Sequence, residues 1–381
     1  MAGLYVHVPF CAKRCVYCDF YSNTDMECKD TYMSALLREM ELRRDYLHGE
    51  NVDTIYFGGG TPSQLQSYNF EQIFERIYRI FSVSDNPEVT IEANPDDLSD
   101  SYISSLKTLP VNRISIGIQS FADKELRLLN RRHTSREAVD AVARCKDAGL
   151  ENISIDLMYA LPGQTEESWA YNLDKAIALD VSHISAYSLT YEEGTSIFKM
   201  MERKEIEPVD DDLCEQFFRL LKKKLADAGF VHYEISNFAK CSDSFPEGRI
   251  SLHNSSYWNG THYLGLGPSA HSYNGVSRSW NVSSISGYIK ALKDGSAEVR
   301  ETELLDDVAK YNDFIITRLR TMWGVSLNEL KRQFGEKRER YFLEKSEPFL
   351  RLNMLKKQGG IVKVSEESIF ISDAIIRDLI A

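Results

Sequence analysis

The chain lacks any run of about 18 consecutive apolar residues, the length a helix needs to cross a bilayer. Its opening, Met1-Ala2-Gly3-Leu4-Tyr5, has neither the basic nor the apolar stretch of a secretory signal. No transmembrane segment is therefore expected, and a cytoplasmic location is. Positive charge is also scarce. With 45 Lys and Arg against 57 Asp and Glu, the formal net charge is −12, which argues against the basic face that nucleic-acid binding requires. The run Lys222-Lys223-Lys224 follows Asp210-Asp211-Asp212 in a helical pattern and reads as a solvated face. Proline is sparse, and neither a low-complexity tract nor an internal repeat is present, so disorder is not the default. Cysteines number 7, an odd count with three gathered between positions 11 and 18. A disulfide framework does not have that pattern, whereas a metal site in a reducing compartment does.

What is there is enough for two units. The 381 residues, 43% hydrophobic and 27% charged, exceed the roughly 250–300 residues at which single cores stop growing. Short β-rich runs recur at Leu4 to Val8, Thr54 to Phe57, Val89 to Ala93, Arg113 to Ile118, Ile153 to Met158 and His183 to Leu189. Helical periodicity fills the gaps at about 30–48, 68–81, 99–108, 135–148 and 166–179. Six βα units fall short of the eight that close a barrel. The expected fold is α/β, a partial (β/α)₆ TIM-like barrel over residues 1–229. A helix at about 210–228 precedes residues 230–285, which show little periodicity and read as an irregular region over the barrel mouth. Helical patterns at 286–294, 306–320, 326–333 and 338–357 then lead to strand candidates Ile361 to Val364 and Ser368 to Ile371. Residues 286–381 are thus expected to form a mainly helical, winged-helix-like domain. In a net acidic chain, a lid or docking role suits it better than DNA binding.

Cys11-Ala-Lys-Arg-Cys15-Val-Tyr-Cys18 places three thiols in the loop after the first strand. Thiolates are the ligands of iron–sulfur clusters. Three of them on a four-iron cube leave one iron free to chelate an amine and a carboxylate. Zinc is the competing reading, but structural zinc takes four ligands, commonly in paired C-x₂-C units, and the second pair is missing. Cys28, Cys145, Cys214 and Cys241 are scattered and read as packing residues.

If the six strands are parallel, their C-terminal ends share one rim. Gly58-Gly59-Gly60-Thr61-Pro62, Glu92, Gln119, Asp156 and Thr190 all fall there. The glycines let backbone approach a ligand, although such a run is also an ordinary turn. A carboxylate at a strand end can accept from ribose hydroxyls, or equally cap a helix or pair with a barrel cation.

The run from Tyr5-Val-His-Val-Pro-Phe-Cys11 to Cys18-Asp-Phe20 resembles the opening of the radical S-adenosylmethionine superfamily. The likeness is to the branch holding oxygen-independent coproporphyrinogen III dehydrogenase, and within it to the haem chaperones. It is strongest from Tyr5 to about Gly275 and thin over the last hundred residues, with Lys240 to Ile250 reading as a variable insertion. The resemblance implies a [4Fe–4S] cluster on Cys11, Cys15 and Cys18. It implies S-adenosylmethionine contacts at Tyr5, Gly59, Gly60, Thr61, Glu92, Gln119, Arg131 and Asp156, Arg132 being the neighbour most easily confused with Arg131. One electron through such a cluster cleaves the sulfonium and yields a 5′-deoxyadenosyl radical, the electron donor being unidentified.

Two functions compete under this resemblance. In the dehydrogenase a fourth cysteine stands where this chain has Phe20. The sequence His253-Asn254-Ser255-Ser256-Tyr257-Trp258 matches the H-N-x-x-Y-W signature of the chaperones. A haem carrier that delivers to haem-requiring clients is the leading expectation, with His253 as iron ligand. Porphyrinogen oxidation is the alternative, and a radical enzyme acting on another substrate is a third reading. As a residue alone, His253 is equally a loop hydrogen-bonder. His262 and His271 are rival ligands, and His7 is expected to pack or hydrogen-bond beside the cluster.

Overall fold

The computed structural model describes residues 1–241, 249–294 and 299–381. Six parallel strands pair in chain order: β1 (Ala2–Val8), β2 (Val52–Gly59), β3 (Val83–Ala93), β4 (Arg113–Gln119), β5 (Ile153–Tyr159) and β6 (His183–Ser188). A helix follows each of the first five on the outer side. The alternation of the strands explains this layering. Leu4, Val6, Ile55, Phe57, Ile116 and Ile155 are buried against Leu36, Phe70, Ile73 and Trp169 of the helices. The opposite face carries Tyr5, Tyr56, Glu92, Arg113, Asp156 and His183, so the hollow of the barrel is polar. Helix starts match their capping residues. Thr134 and Glu137 form a reciprocal box at Ser135–Asp147, and Asp210 accepts from Leu213 N at 2.8 Å ahead of Asp211–Asp227. The helix expected over 30–48 stops at Leu42, where Arg43 leaves helical geometry.

The sheet is larger than the six strands. β7 (Phe230–Glu234) and β8 (Asn237–Lys240) extend it antiparallel beyond β6. On the other side β9 (His262–Leu266) pairs parallel with β1, placing His262 beside Ala2, and β10 (His271–Tyr273), β11 (Ser277–Asn281) and β12 (Arg300–Leu304) follow antiparallel. The described part of residues 230–285 is therefore strand-rich, not irregular. Their period was hidden because the inward positions are serine and asparagine: Ser272, Ser277, Ser279 and Asn281 are all buried. Ser272, Ser279 and Asn281 meet a buried ion pair from the first helix. Glu39 accepts from Gly267 N (2.8 Å), Asn281 Nδ2 (2.7 Å) and Tyr288 OH (2.7 Å). Arg43 donates to Gly265 O (3.2 Å) and Ser272 Oγ (3.1 Å), and its guanidinium lies 3.8 Å from Glu39. Most of the expected insertion at 240–250, residues 242–248, lies outside the described residues.

The short helix Leu252–Asn259 carries the H-N-x-x-Y-W motif. Its first free amides, Leu252 N and His253 N, donate to the Glu88 carboxylate of β3 at 3.0 and 2.9 Å. A negative charge at a helix N-terminus is favourable, and here it draws the motif into the barrel hollow.

The C-terminal unit has its own core around Tyr311, Ile315, Phe342 and Ile375. Helices Asp307–Leu319, Leu327–Arg351 and Ser372–Leu379 pack on a small sheet of β13 (Val325–Ser326), β14 (Leu355–Gln358) and β15 (Ile361–Val364). This is the winged-helix-like arrangement. Gly335, at φ 80°, divides the long helix where the sequence pattern breaks. The end of the expected 338–357 helix is instead strand β14, whose exposed Lys356, Lys357 and Gln358 gave no strand signal. Ser368 to Ile371 is not the expected strand but part of a 3₁₀ turn, with the Phe370 ring 5.7 Å from Phe218 of the barrel. Among the described residues no helix is long and apolar enough to cross a membrane.

Candidate functional site

The cysteine loop is closed at its neck by backbone bonds: Cys11 N donates to Asn23 O (3.0 Å) and Asn23 N to Pro9 O (2.6 Å). Its far side is seated by Val16 and Tyr17, which pack on Leu129, Met158, Leu161, Leu189 and Ile197. Val16 N also donates to Leu129 O (3.3 Å), and Asn130 Nδ2 to Arg14 O (2.9 Å). The loop after β4 thus reaches over and touches the loop after β1.

This contact brings the expected residues together. Cys11, buried, lies 3.3 Å from Thr61 Oγ1. Arg131 Nη1 donates to Cys15 Sγ at 3.3 Å, and its Nη2 donates to Asn94 Oδ1 (2.6 Å) and to Gly117 O. Asn94 in turn donates to Thr61 Oγ1 at 3.3 Å. Arg132 instead pairs with Asp96 and Asp97, both at 2.8 Å, so Arg131 is the one that reaches the thiols. Burial pushes the Cys11 thiol up and Cys18 up to about 11, with the neighbouring cysteines adding to both. Among the described residues no three His, Cys, Asp or Glu side chains gather as a site for a single metal ion. A single ion draws its ligands toward one point, while a cube spreads them over separate corners.

The glycine turn is tight for a reason. A Cβ on Gly60 would stand 2.8 Å from both Val8 O and Phe10 O, and Gly59, at φ 106°, has the His7 ring where its Cβ would go. The glycines let β2 run into the cysteine loop. Glu92 accepts from Gly59 N (3.2 Å) and Tyr56 OH (2.7 Å). Asp156 sits at the middle of β5 rather than near its end, accepting from Ser115 Oγ at 3.3 Å. Gln119 ends β4 in left-handed geometry at φ 69°, with its side chain turned back toward Gly117. Tyr5, Gly59, Glu92, Asp156 and His253 line one cavity of about 360 Å³, together with Phe20 of the cysteine loop. Asn94, Tyr56 and Arg113 belong to this site and were not singled out from sequence. Asn94 was findable as a polar residue just past a strand end.

Burial raises the Glu92 carboxyl to about 7, with Asp156 adding repulsion, against the pull of its two hydrogen bonds. Asp156 rises to about 6 for the same first reason. A raised carboxyl pKa means that the folded protein holds the proton more tightly than the unfolded chain. Its stabilising effect is complete below pH 4.5 and is lost as pH rises through about 7. Glu92→Gln is expected to flatten that decline in urea midpoints measured across this range. An unchanged slope would show that Glu92 titrates normally.

His253 is buried with both ring nitrogens engaged. Its Nδ1 is 2.8 Å from Thr54 Oγ1, its Nε2 is 2.9 Å from Tyr257 OH, and the ring stacks on Tyr56 at 4.9 Å. The expected iron ligand is thus placed as a hydrogen-bonder inside the barrel, the other reading its residue type allowed. His262 bonds Glu50 at 2.6 Å, and His7 bonds Tyr5 OH (3.1 Å) and Tyr21 O (2.9 Å).

A thiol loop at the mouth of a six-stranded parallel barrel defines a class, and comparison bears this out. The radical SAM superfamily model matches residues 5–176, and the HemN C-terminal domain model matches residues 305–371. The chain is 32% identical to heme chaperone HemW of Mycobacterium tuberculosis, over 99% of this chain and 94% of that protein. It is 33% identical to heme chaperone HemW of Bacillus subtilis, over 98% and 95%. The chain belongs to the HemW family of radical SAM proteins. In fold it matches coproporphyrinogen III oxidase (HemN) of Escherichia coli, a radical SAM enzyme, with a TM-score of 0.85 at 21% identity over 100% of this chain and 90% of that one. The superfamily implies a [4Fe–4S] cluster and S-adenosylmethionine, and the donor set fits them. Three thiols share one loop, and Arg131 Nε is a buried donor with no partner among the described residues.

Proposed function

We propose that this chain holds a [4Fe–4S] cluster on Cys11, Cys15 and Cys18, binds S-adenosylmethionine in the adjoining cavity, and carries haem to haem-requiring proteins. The cluster, once bound, supplies an electron to the sulfonium. The chain's own residues do the rest. Gly59 and Gly60 keep the turn tight beside the cysteine loop, Glu92 and Asp156 offer acceptors to ribose hydroxyls, and Arg131 steadies the Cys15 sulfur. The names of the HemW relatives support the haem reading.

One observation favours it over porphyrinogen oxidation. Coproporphyrinogen carries four carboxylates, whereas the barrel cavity has Arg113 as its one Lys or Arg among the lining residues, set beside Glu92 and Asp156. Such a hollow suits a nucleoside far better than a tetra-anion. The test is an anaerobic assay of reconstituted protein with coproporphyrinogen III, S-adenosylmethionine and reductant, run beside a haem titration of the same sample. A stable haem absorbance without decarboxylation is expected. Turnover without stable haem binding would overturn the carrier reading.

A further inference from the structure

The β10–β11 hairpin has two unlike faces. Residues directly opposite in an antiparallel pair point the same way. The register sets Ser272 against Ser279, both buried over Arg43. It sets His271 against Trp280 and Tyr273 against Arg278, so these four share the other face. The inward face locks the hairpin to the barrel, and the outward face presents an imidazole, two aromatic rings and a guanidinium.

His271 differs from the other imidazoles near the mouth. His7 and His253 use both nitrogens, and His262 is held by Glu50. The His271 ring is exposed, stacks on Trp280 at 5.9 Å, and makes no hydrogen bond among the described residues. It lines a cavity of about 280 Å³ with Phe20, Tyr21, Tyr257 and Tyr263, directly beside the cysteine loop. Tyr257 and Tyr263 also wall a second cleft of about 520 Å³, where Tyr273 and Arg278 meet the C-terminal unit. Lys310 in that cleft makes no ion pair among the described residues, while Arg278 is paired with Asp313.

Haem asks for three things together: a nitrogen donor to iron, flat apolar walls and cations for two propionates. We infer that the outward face of this hairpin is the haem platform, with His271 as the iron ligand and Lys310 receiving a propionate. This rests on the haem-carrier reading and assigns its site. Iron gains the lone pair of a neutral imidazole nitrogen, and no bond within the protein has to break first. At His253 the bond to Tyr257 would have to be given up.

The test is a haem titration of full-length His271→Ala, His253→Ala and Lys310→Ala beside wild type, reading the Soret position and Kd. His271→Ala is expected to shift the spectrum of bound haem, and added imidazole to restore it. Its Kd should rise by no less than the roughly tenfold that loss of a mere supporting partner of a metal ligand costs. His253→Ala is expected to weaken binding through Tyr257 but keep the wild-type Soret position, and Lys310→Ala to weaken it without a shift. A wild-type spectrum in His271→Ala, or a change that imidazole leaves in place, overturns the assignment. If wild type takes up no haem, the carrier reading itself fails.

Discussion

Cys15→Ala is expected to abolish iron uptake while leaving the fold intact. Wild-type protein reconstituted without oxygen should bind about four irons per chain and show the broad visible absorbance of a cube on thiolates. Cys15 stands in a loop held by other residues. The neck bonds at Cys11 and Asn23, the seating of Val16 and Tyr17, and the Asn130 bond to Arg14 do not involve its sulfur. Under the proposed cluster its removal deletes a ligand, and it leaves Arg131 Nη1 without the acceptor it has at 3.3 Å. Iron analysis, absorbance and a thermal melt of the same samples decide the matter, with Cys145→Ala as control, since Cys145 is buried among helix residues away from the loop. Full iron content in Cys15→Ala would rule out the thiol assignment. A tightly held zinc with no iron would replace the cluster reading altogether.

The second large effect is on stability. Glu39 and Arg43 are fully or almost fully buried, and between them they satisfy Gly265, Gly267, Ser272, Asn281 and Tyr288. Removing one partner of a buried pair leaves the other charge uncompensated, at a cost of about 3–5 kcal/mol. Glu39→Ala is expected to lose that much in urea unfolding. Glu39→Gln, which keeps an acceptor for part of the network, is expected to lose less. The damage should begin locally, because the network joins the first helix to β9, β10 and β11. Hydrogen exchange should therefore speed up at Gly265 and Gly267 before it does in β3 or β4. A loss within the range of an ordinary surface pair, about 0–1 kcal/mol, would mean that water reaches the network.

The first six βα units were legible because each strand keeps one apolar face for the helices and several helices start on a recognisable cap, as at Ser99, Thr134 and Thr165. The cysteine loop, the glycine turn and Glu92 were legible for a different reason, in that chemistry-bearing residues recur where strands end, whereas Arg131 was named only through the family resemblance. What escaped was whatever relies on polar burial. Ser272, Ser277, Ser279 and Asn281 read as surface, and Glu39 with Arg43 reads as an exposed i,i+4 pair, because the sequence does not show that they meet. The contacts of His253 were hidden in the same way, since neither Thr54 nor Tyr56 announces itself as its neighbour. The C-terminal sheet was half seen. β15 has the alternation of Ile361-Val362-Lys363-Val364, but β14 offers only Leu355 before three polar residues.

The parallel seam between β1 and β9 sets an order on how the chain is made. Ala2 is translated long before its second neighbour, His262, which emerges only after the other five parallel strands have been made. Until then the first strand keeps a bare edge, with unpaired amides and carbonyls next to the thiols. The nascent barrel is thus open along one side throughout translation of its other five strands, and long-range pairing of this kind is slow to form. Closure of that seam therefore waits on β9, which pairs with the strand that runs on into the cysteine loop.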